Sequence, residues 1–160
     1  MGILLFFNGV FMLIASLVSL IYKDGVTFEI TISSFIVLFI GALLMLFFRH
    51  YDKQIQKREG YLIVTLGWLL MAISGTIPYI FTETIPNFTS SFFETMSGYT
   101  TTGATILDDI ESLPEGILFW RSTTHWIGGM GIIVLAIAIL PFLGIGGIQL
   151  FTAEAPGPAG

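Results

Sequence analysis

A chain of 160 residues that is 54% hydrophobic and only 11% charged, with a mean hydropathy of +0.89, lies far from the roughly 25% charged content of soluble domains and belongs in a membrane. The lack of cysteine excludes disulfides, thiolate metal sites and a cysteine nucleophile together. The net charge of −5 matters less than where the charges lie.

Four runs without Asp, Glu, Lys or Arg, at residues 1–22, 30–48, 61–82 and 122–152, each exceed the roughly 18 apolar residues that a bilayer core requires of a helix. They predict an all-α integral membrane fold with four transmembrane helices. The first run lacks a basic n-region and is too long for the apolar part of a signal peptide, so it is expected to be retained. Met1-Gly2 makes no myristoylation site, because position 6 is Phe6. In the last run Pro141 removes a helix hydrogen bond and "GIGG" follows at 144–147. A helix over about 116–140 and then a bent cytoplasmic-side segment is the expectation.

Orientation follows from the basic residues. Four of six (Arg49, Lys53, Lys57 and Arg58) sit in the link "RHYDKQIQKRE", which the positive-inside rule places in the cytoplasm together with both termini. Seven of eleven acids (Asp24, Glu29, Glu83, Asp108, Asp109, Glu111 and Glu115) then fall outside. A negative outer mouth concentrates cations, Asp108 and Asp109 being the candidates at a pore entrance, although solvated loop carboxylates account for the pattern nearly as well.

Residues 83–115 are too many for a turn and too polar for a span. Pro86 ends the third helix, "TSS" at 89–91 offers N-caps, and Ser91 with Glu94 matches a capping box. Gly98 suits a left-handed C-terminal cap. A helix over about 90–98 is far too short to cross, so it lies outside or dips in and returns as a re-entrant segment. The stretch "SGYTTTGAT" (97–105) comes next. Non-helical backbone at membrane depth needs a cavity or a ligand for its carbonyls. The carbonyls of Thr100, Thr101, Thr102 and Gly103 would replace the water shell of a monovalent cation, with the negative end of the short helix's dipole behind them. An ordinary Thr/Gly-rich loop remains the alternative on spacing alone.

The strings "FFETMSGYTTTGATIL" (92–107), "FWRSTTHWIGGMGIIVLAIAILP" (119–141) and "QLFTAEAPGP" (149–158) resemble the first pore repeat of the Trk/Ktr potassium-transporter family, the TrkH-type ion-translocating subunit. The resemblance covers the whole chain and implies potassium translocation in a plasma (inner) membrane. It implies two leading helices and the basic link over 1–59, then a helix, pore loop, helix unit over 60–152 with a filter at about 99–105, then a cytoplasmic tail over 153–160. Gly103 becomes the filter glycine, Thr100 to Thr102 carry the carbonyls beside it, and potassium sits at Thr101, Thr102 and Gly103. No cofactor is implied beyond the transported ion, and no nucleic acid. Family members hold four such repeats in one chain, form homodimers and dock a cytoplasmic nucleotide-binding ring. This sequence holds one repeat, a quarter of a filter. It is therefore expected to be the N-terminal part of a longer protein, or else to assemble as four copies within membrane lipid. A non-conducting membrane scaffold or truncated remnant is the competing reading. No enzyme is expected, since the spans carry no paired carboxylates, no G-x-S-x-G and no H-E-x-x-H.

Other residues have plainer expectations. Arg121 is expected to snorkel or to pair with Asp108, Asp109 or Glu94 rather than meet a cation, and His125, one turn on, to pack at the interface. Glu94 is first a cap. Gly67, Ser74, Gly75 and Pro78 on the third helix, and Gly128, Gly129 and Gly131 on the last, read as close-packing stripes. The 15 phenylalanines read as lipid-facing bulk. Asn87-Phe88-Thr89 fits a glycosylation sequon without fixing a location.

Overall fold

The computed structural model describes residues 1–48 and 57–139. Among the described residues six helices succeed one another in chain order: α1 (Gly2–Tyr22), α2 (Thr27–Phe47), α3 (Lys57–Gly75), α4 (Ile77–Phe81), α5 (Phe88–Tyr99) and α6 (Glu115–Ile139). Among the described residues there is no strand. Three segments, Gly2–Tyr22, Thr27–Phe47 and Leu62–Phe81, are long and apolar enough to cross a bilayer. The fold is that of an all-α integral membrane protein. Helix α6 has 25 residues, within the length a span requires. The end of the expected fourth span, with Pro141 and "GIGG", lies outside the described residues, as does most of the basic link.

In lipid, apolar surface gains little by leaving one hydrocarbon for another, so close backbone approach and hydrogen bonds decide how helices pack. The α1–α2 hairpin obeys that rule. A Cβ added at Gly9 would stand 2.7 Å from Leu38 Cγ, and one at Gly41 2.7 Å from the Phe6 nitrogen. At the turn, Lys23 closes α1 in the left-handed region (φ 55°). Asp24 then organises the connection to α2: its Oδ1 accepts from the Ser19 hydroxyl and, at 3.2 Å, from the Val26 amide. Its Oδ2 accepts from the Gly116 amide at 2.8 Å. A carboxylate thus sits on the N-terminus of α6, where the helix dipole favours it. Asp24 was expected only as an outer-side acid; it also joins the α1–α2 turn to the start of α6.

The third apolar run is interrupted rather than continuous. Helix α3 stops at Gly75 and α4 resumes at Ile77, with Pro78 at its N-terminus. Pro78 has no N–H for the Ser74 carbonyl four residues back, and across the break no backbone amide of the described residues reaches the Gly75 carbonyl either. The Gly75 carbonyl instead accepts from Trp120 Nε1 at 3.1 Å. Trp120 is fully buried, in a core with Met12, Ala15, Ile30, Val37, Tyr79 and Ile117. The break in one helix is therefore sealed by the indole of another.

Candidate permeation loop

Helix α5 begins at an asparagine. Asn87 Oδ1 accepts from the amides of Thr89 (2.9 Å) and Ser90 (3.4 Å). This corrects the expected capping box. Ser91 lies inside the helix and its hydroxyl donates to the Ile85 carbonyl at 2.6 Å, while Glu94 turns to other donors. The helix also runs longer than the expected 90–98. It ends at Tyr99, with Thr100 as its cap. Gly98 is not the left-handed cap either. It is helical, and a Cβ there would strike the Thr124 hydroxyl and stand 3.0 Å from Thr124 Cβ and 3.3 Å from His125 Cδ2. Its role is to let α5 touch α6, and His125 packs against that contact as expected.

The carboxyl end of α5 is wedged between two helices. A Cβ on Gly75 would collide with Thr95 and stand 3.2 Å from the Tyr99 ring. On the other side, one on Gly128 would collide with the Tyr99 carbonyl oxygen. Gly75 and Gly128 are thus packing positions, as expected, and what they receive is the short helix; Gly67 faces Leu4 and Gly131 faces Trp68, while Gly129 meets only Thr101 Cγ2, at 3.9 Å. Tyr99 itself is fully buried. Its hydroxyl donates to Asn8 Oδ1, and Asn8 Nδ2 donates to the Ser74 hydroxyl at 2.8 Å and to the Met71 carbonyl at 3.5 Å. One asparagine on α1 therefore ties α3 and α5 together.

Beyond Tyr99 the backbone leaves the helix while its amides still point back to it. The N–H of Thr100 donates to the Met96 carbonyl (2.9 Å), that of Thr101 to Gly98 (2.9 Å), and those of Thr102 and Gly103 to Ser97 (3.0 and 3.5 Å). Among the described residues, no hydrogen bond uses the carbonyl oxygens of Thr100, Thr101, Thr102 or Gly103. Thr101 and Gly103 have φ of +55° and +76°. For Gly103 that region is free of penalty; for Thr101, β-branched, it is strained. The loop is solvent- or lipid-exposed from Thr100 to Ile106, and nothing lies within 4 Å of a Cβ built on Gly103.

The chain then returns alongside α5. Ser97 donates its hydroxyl to the Ala104 carbonyl at 2.6 Å. One turn earlier on the helix, Glu94 accepts from the Thr105 hydroxyl (3.0 and 2.9 Å to its two oxygens) and from the Ile106 amide (3.2 Å). Arg121 Nε of α6 completes the set at 2.7 Å. Of the three expected partners for Arg121, the structure selects Glu94. Asp108 and Asp109 are exposed, and among the described residues neither forms an ion pair. No group of three His, Asp or Glu side chains among the described residues is arranged to hold a metal ion. The oxygen-rich feature is the run of backbone carbonyls.

Sequence reasoning missed Asn8 and the anchoring side of Asp24. The signal for Asn8 was an amide inside a 21-residue apolar helix, where a polar side chain is costly without a partner.

A helix–loop–helix unit on two leading helices, with a polar loop after a buried short helix, is an arrangement of an all-α integral membrane protein. Residues 26–159 match the family TrkH, described as "Cation transport protein", and the chain belongs to that family. It is 49% identical over 158 residues to the Trk system potassium uptake protein TrkH of Escherichia coli strain K12, covering 98% of this chain and 32% of that protein. It is 34% identical over 146 residues to the Trk system potassium uptake protein TrkI of Halomonas elongata, covering 91% and 30%. The crystal structure of the potassium transporter TrkH from Vibrio parahaemolyticus superposes with a TM-score of 0.83 at 44% identity, over 91% of this chain and 31% of that one. The chain thus spans about a third of the length of the curated relatives it matches.

Proposed function

We propose that this chain contributes one quarter of a potassium-selective filter. The observation that carries the reading is the set of carbonyls at Thr100, Thr101, Thr102 and Gly103 that no hydrogen bond among the described residues uses, presented at the carboxyl end of a short buried helix. Carbonyl rings replace the hydration shell of potassium without the tight binding that carboxylates impose. Potassium is then held at Thr101, Thr102 and Gly103, and the negative end of the α5 dipole faces it. Asp108 and Asp109, both exposed, raise the local cation concentration at the mouth. The names of the relatives, potassium uptake proteins, support potassium as the ion.

The remaining parts of the reading rest on the filter. Residues 1–59 are the leading helices and link, 60–152 the pore unit and 153–160 the tail. Both termini face the cytoplasm of a plasma (inner) membrane. The other three quarters of the filter come from further repeats of a longer chain or from three more copies. A homodimer and a cytoplasmic nucleotide-binding ring are the partners the family resemblance suggests.

The test is Gly103→Ser in the reconstituted, conducting protein. A side chain at φ +76° costs about 1–2 kcal/mol and reorients the carbonyls beside it. Potassium preference over sodium should fall while insertion persists; an unchanged permeability ratio removes Gly103 from the filter. Absence of any flux from every assembly would favour a non-conducting scaffold.

A further inference from the structure

We propose that Glu94 is a positioning residue for the loop: fixed by Arg121, it sets the height of the returning limb along α5 and thereby the ion selectivity. The proposal rests on the filter reading above.

The loop is laddered onto one face of α5 by two rungs. Ser97 holds the Ala104 carbonyl at 2.6 Å. Glu94, three residues earlier and so on the same face, holds the Thr105 hydroxyl and the Ile106 amide. The second rung is the stronger because its acceptor is ionic. The Glu94 side chain is 0% exposed and that of Arg121 17%. A carboxylate buried so deeply persists only when paired and when its lone pairs meet donors. Here the donors come from two places: Arg121 from α6, and the Thr105 hydroxyl and the Ile106 amide from the limb. Every donor must therefore be in register for the charge to be satisfied. The pair is neutral overall and presents little net field to a nearby cation, so its influence runs through geometry. The carbonyl run itself, residues 100–103, is tied among the described residues only through its amides and the Thr100 hydroxyl to the end of α5. Glu94 is thus the ionic anchor below the run, and a shift of the limb along α5 is a shift of the carbonyls.

The experiment compares potassium and sodium permeability in the conducting protein carrying Glu94→Gln, Thr105→Val, Thr105→Ser or Gly103→Ser, each with its thermal midpoint. Glutamine at 94 places an NH2 against Arg121 or against the limb, whichever way it turns. Valine at 105 removes the hydroxyl, which donates to Glu94 and also accepts from the Leu107 amide at 3.1 Å. It leaves the ion pair intact, so it decides the matter if the glutamine variant does not fold. Leu107→Pro, which lacks that amide, is the control that should keep the wild-type ratio. The ratio should fall roughly fivefold, or about 1 kcal/mol, in Thr105→Val at a near-native thermal midpoint, and Thr105→Ser should retain it. A wild-type ratio in Thr105→Val, or a ratio in Thr105→Ser as low as in the valine variant, overturns the positioning role. If Gly103→Ser lowers the ratio in that case, the filter reading stands without Glu94. If Gly103→Ser leaves it unchanged as well, both readings fall.

Discussion

The backbone of Tyr99 rests directly on Gly128: a methyl group on that glycine would stand 2.7 Å from the Tyr99 carbonyl carbon and 2.8 Å from its Cα. The last residue of the short helix and the middle of α6 are thus in backbone contact, and the position of the carbonyl run depends on a missing side chain.

Gly128→Ala should therefore destabilise the protein by about 1–3 kcal/mol, the usual cost of overpacking where neither backbone can yield. Thermal unfolding in detergent measures it. Gly129→Ala is the control, because a Cβ there meets only Thr101 Cγ2 at 3.9 Å. An equal loss in both variants would remove the special status of the Tyr99 contact.

Tyr99→Phe strips the donor from Asn8 Oδ1 while keeping the ring against Trp68, 6.4 Å between centroids. A buried acceptor left without its donor costs about 1–2 kcal/mol. Asn8→Leu should cost as much or more, since it takes the acceptor from the Tyr99 hydroxyl and also the donor from the Ser74 hydroxyl, which keeps only its own bond to the Met71 carbonyl at 3.0 Å. The double variant should lose less than the sum of the two, because the two side chains share one hydrogen bond. Strict additivity in the thermal midpoints would contradict the link.

Asp24→Asn weakens the charge–dipole contact at Gly116 and should cost roughly 1 kcal/mol. Raising the salt concentration should narrow the difference between the two proteins, since the interaction is partly exposed and screened. A gap that stays constant from low to high salt would assign the effect to shape alone.

The Asp24–Gly116 contact also fixes which ends share a side of the membrane. Cysteines introduced at Tyr22, which is 64% exposed, and at Glu111 should both react with an impermeant thiol reagent from one face, the outer one. Labelling from opposite faces would break the topology.

A monomer of the 160-residue chain offers a single loop, so the carbonyl run has no ring to complete. Liposomes holding monomers of it should pass no more potassium than empty vesicles. Flux seen only when four copies associate would make the pore an assembly of copies of this chain.

How much of this could be read beforehand depended on how local the cause was. Charge-free runs set the first three spans to within a few residues, since transfer into lipid is a sum over neighbours in sequence; the fourth run starts at 122, seven residues inside α6, because Glu115 and Arg121 belong to that helix. The loop stood out because its run of threonines and glycines interrupts an otherwise apolar chain. Arg121 was expected to pair with one of three acids; choosing Glu94 required knowing that α5 and α6 lie side by side. The capping box failed for the same reason. Asn87 and Ser91 are equally good caps by preference, and what separated them was an arginine 27 residues beyond Glu94 that claims the carboxylate. Gly98 misled because a glycine near a helix end serves a turn or a close contact with equal ease, and only Thr124 tells which. Asn8 and Tyr99, 91 residues apart, leave no local pattern in common.

That separation has a consequence for how the molecule is made. Synthesis runs from the N-terminus, so α1 enters the bilayer with Asn8 unpaired, and its amide must find water or lipid carbonyls until α3 delivers Ser74 and Met71. Tyr99 comes last. The first helix therefore waits in a less favourable state for the one that precedes the loop, and arrival of Tyr99 closes the set. Asn8 is in this sense a latch that closes only when the short helix has docked, and a chain without that contact keeps an incompletely paired amide in the first third of its first helix.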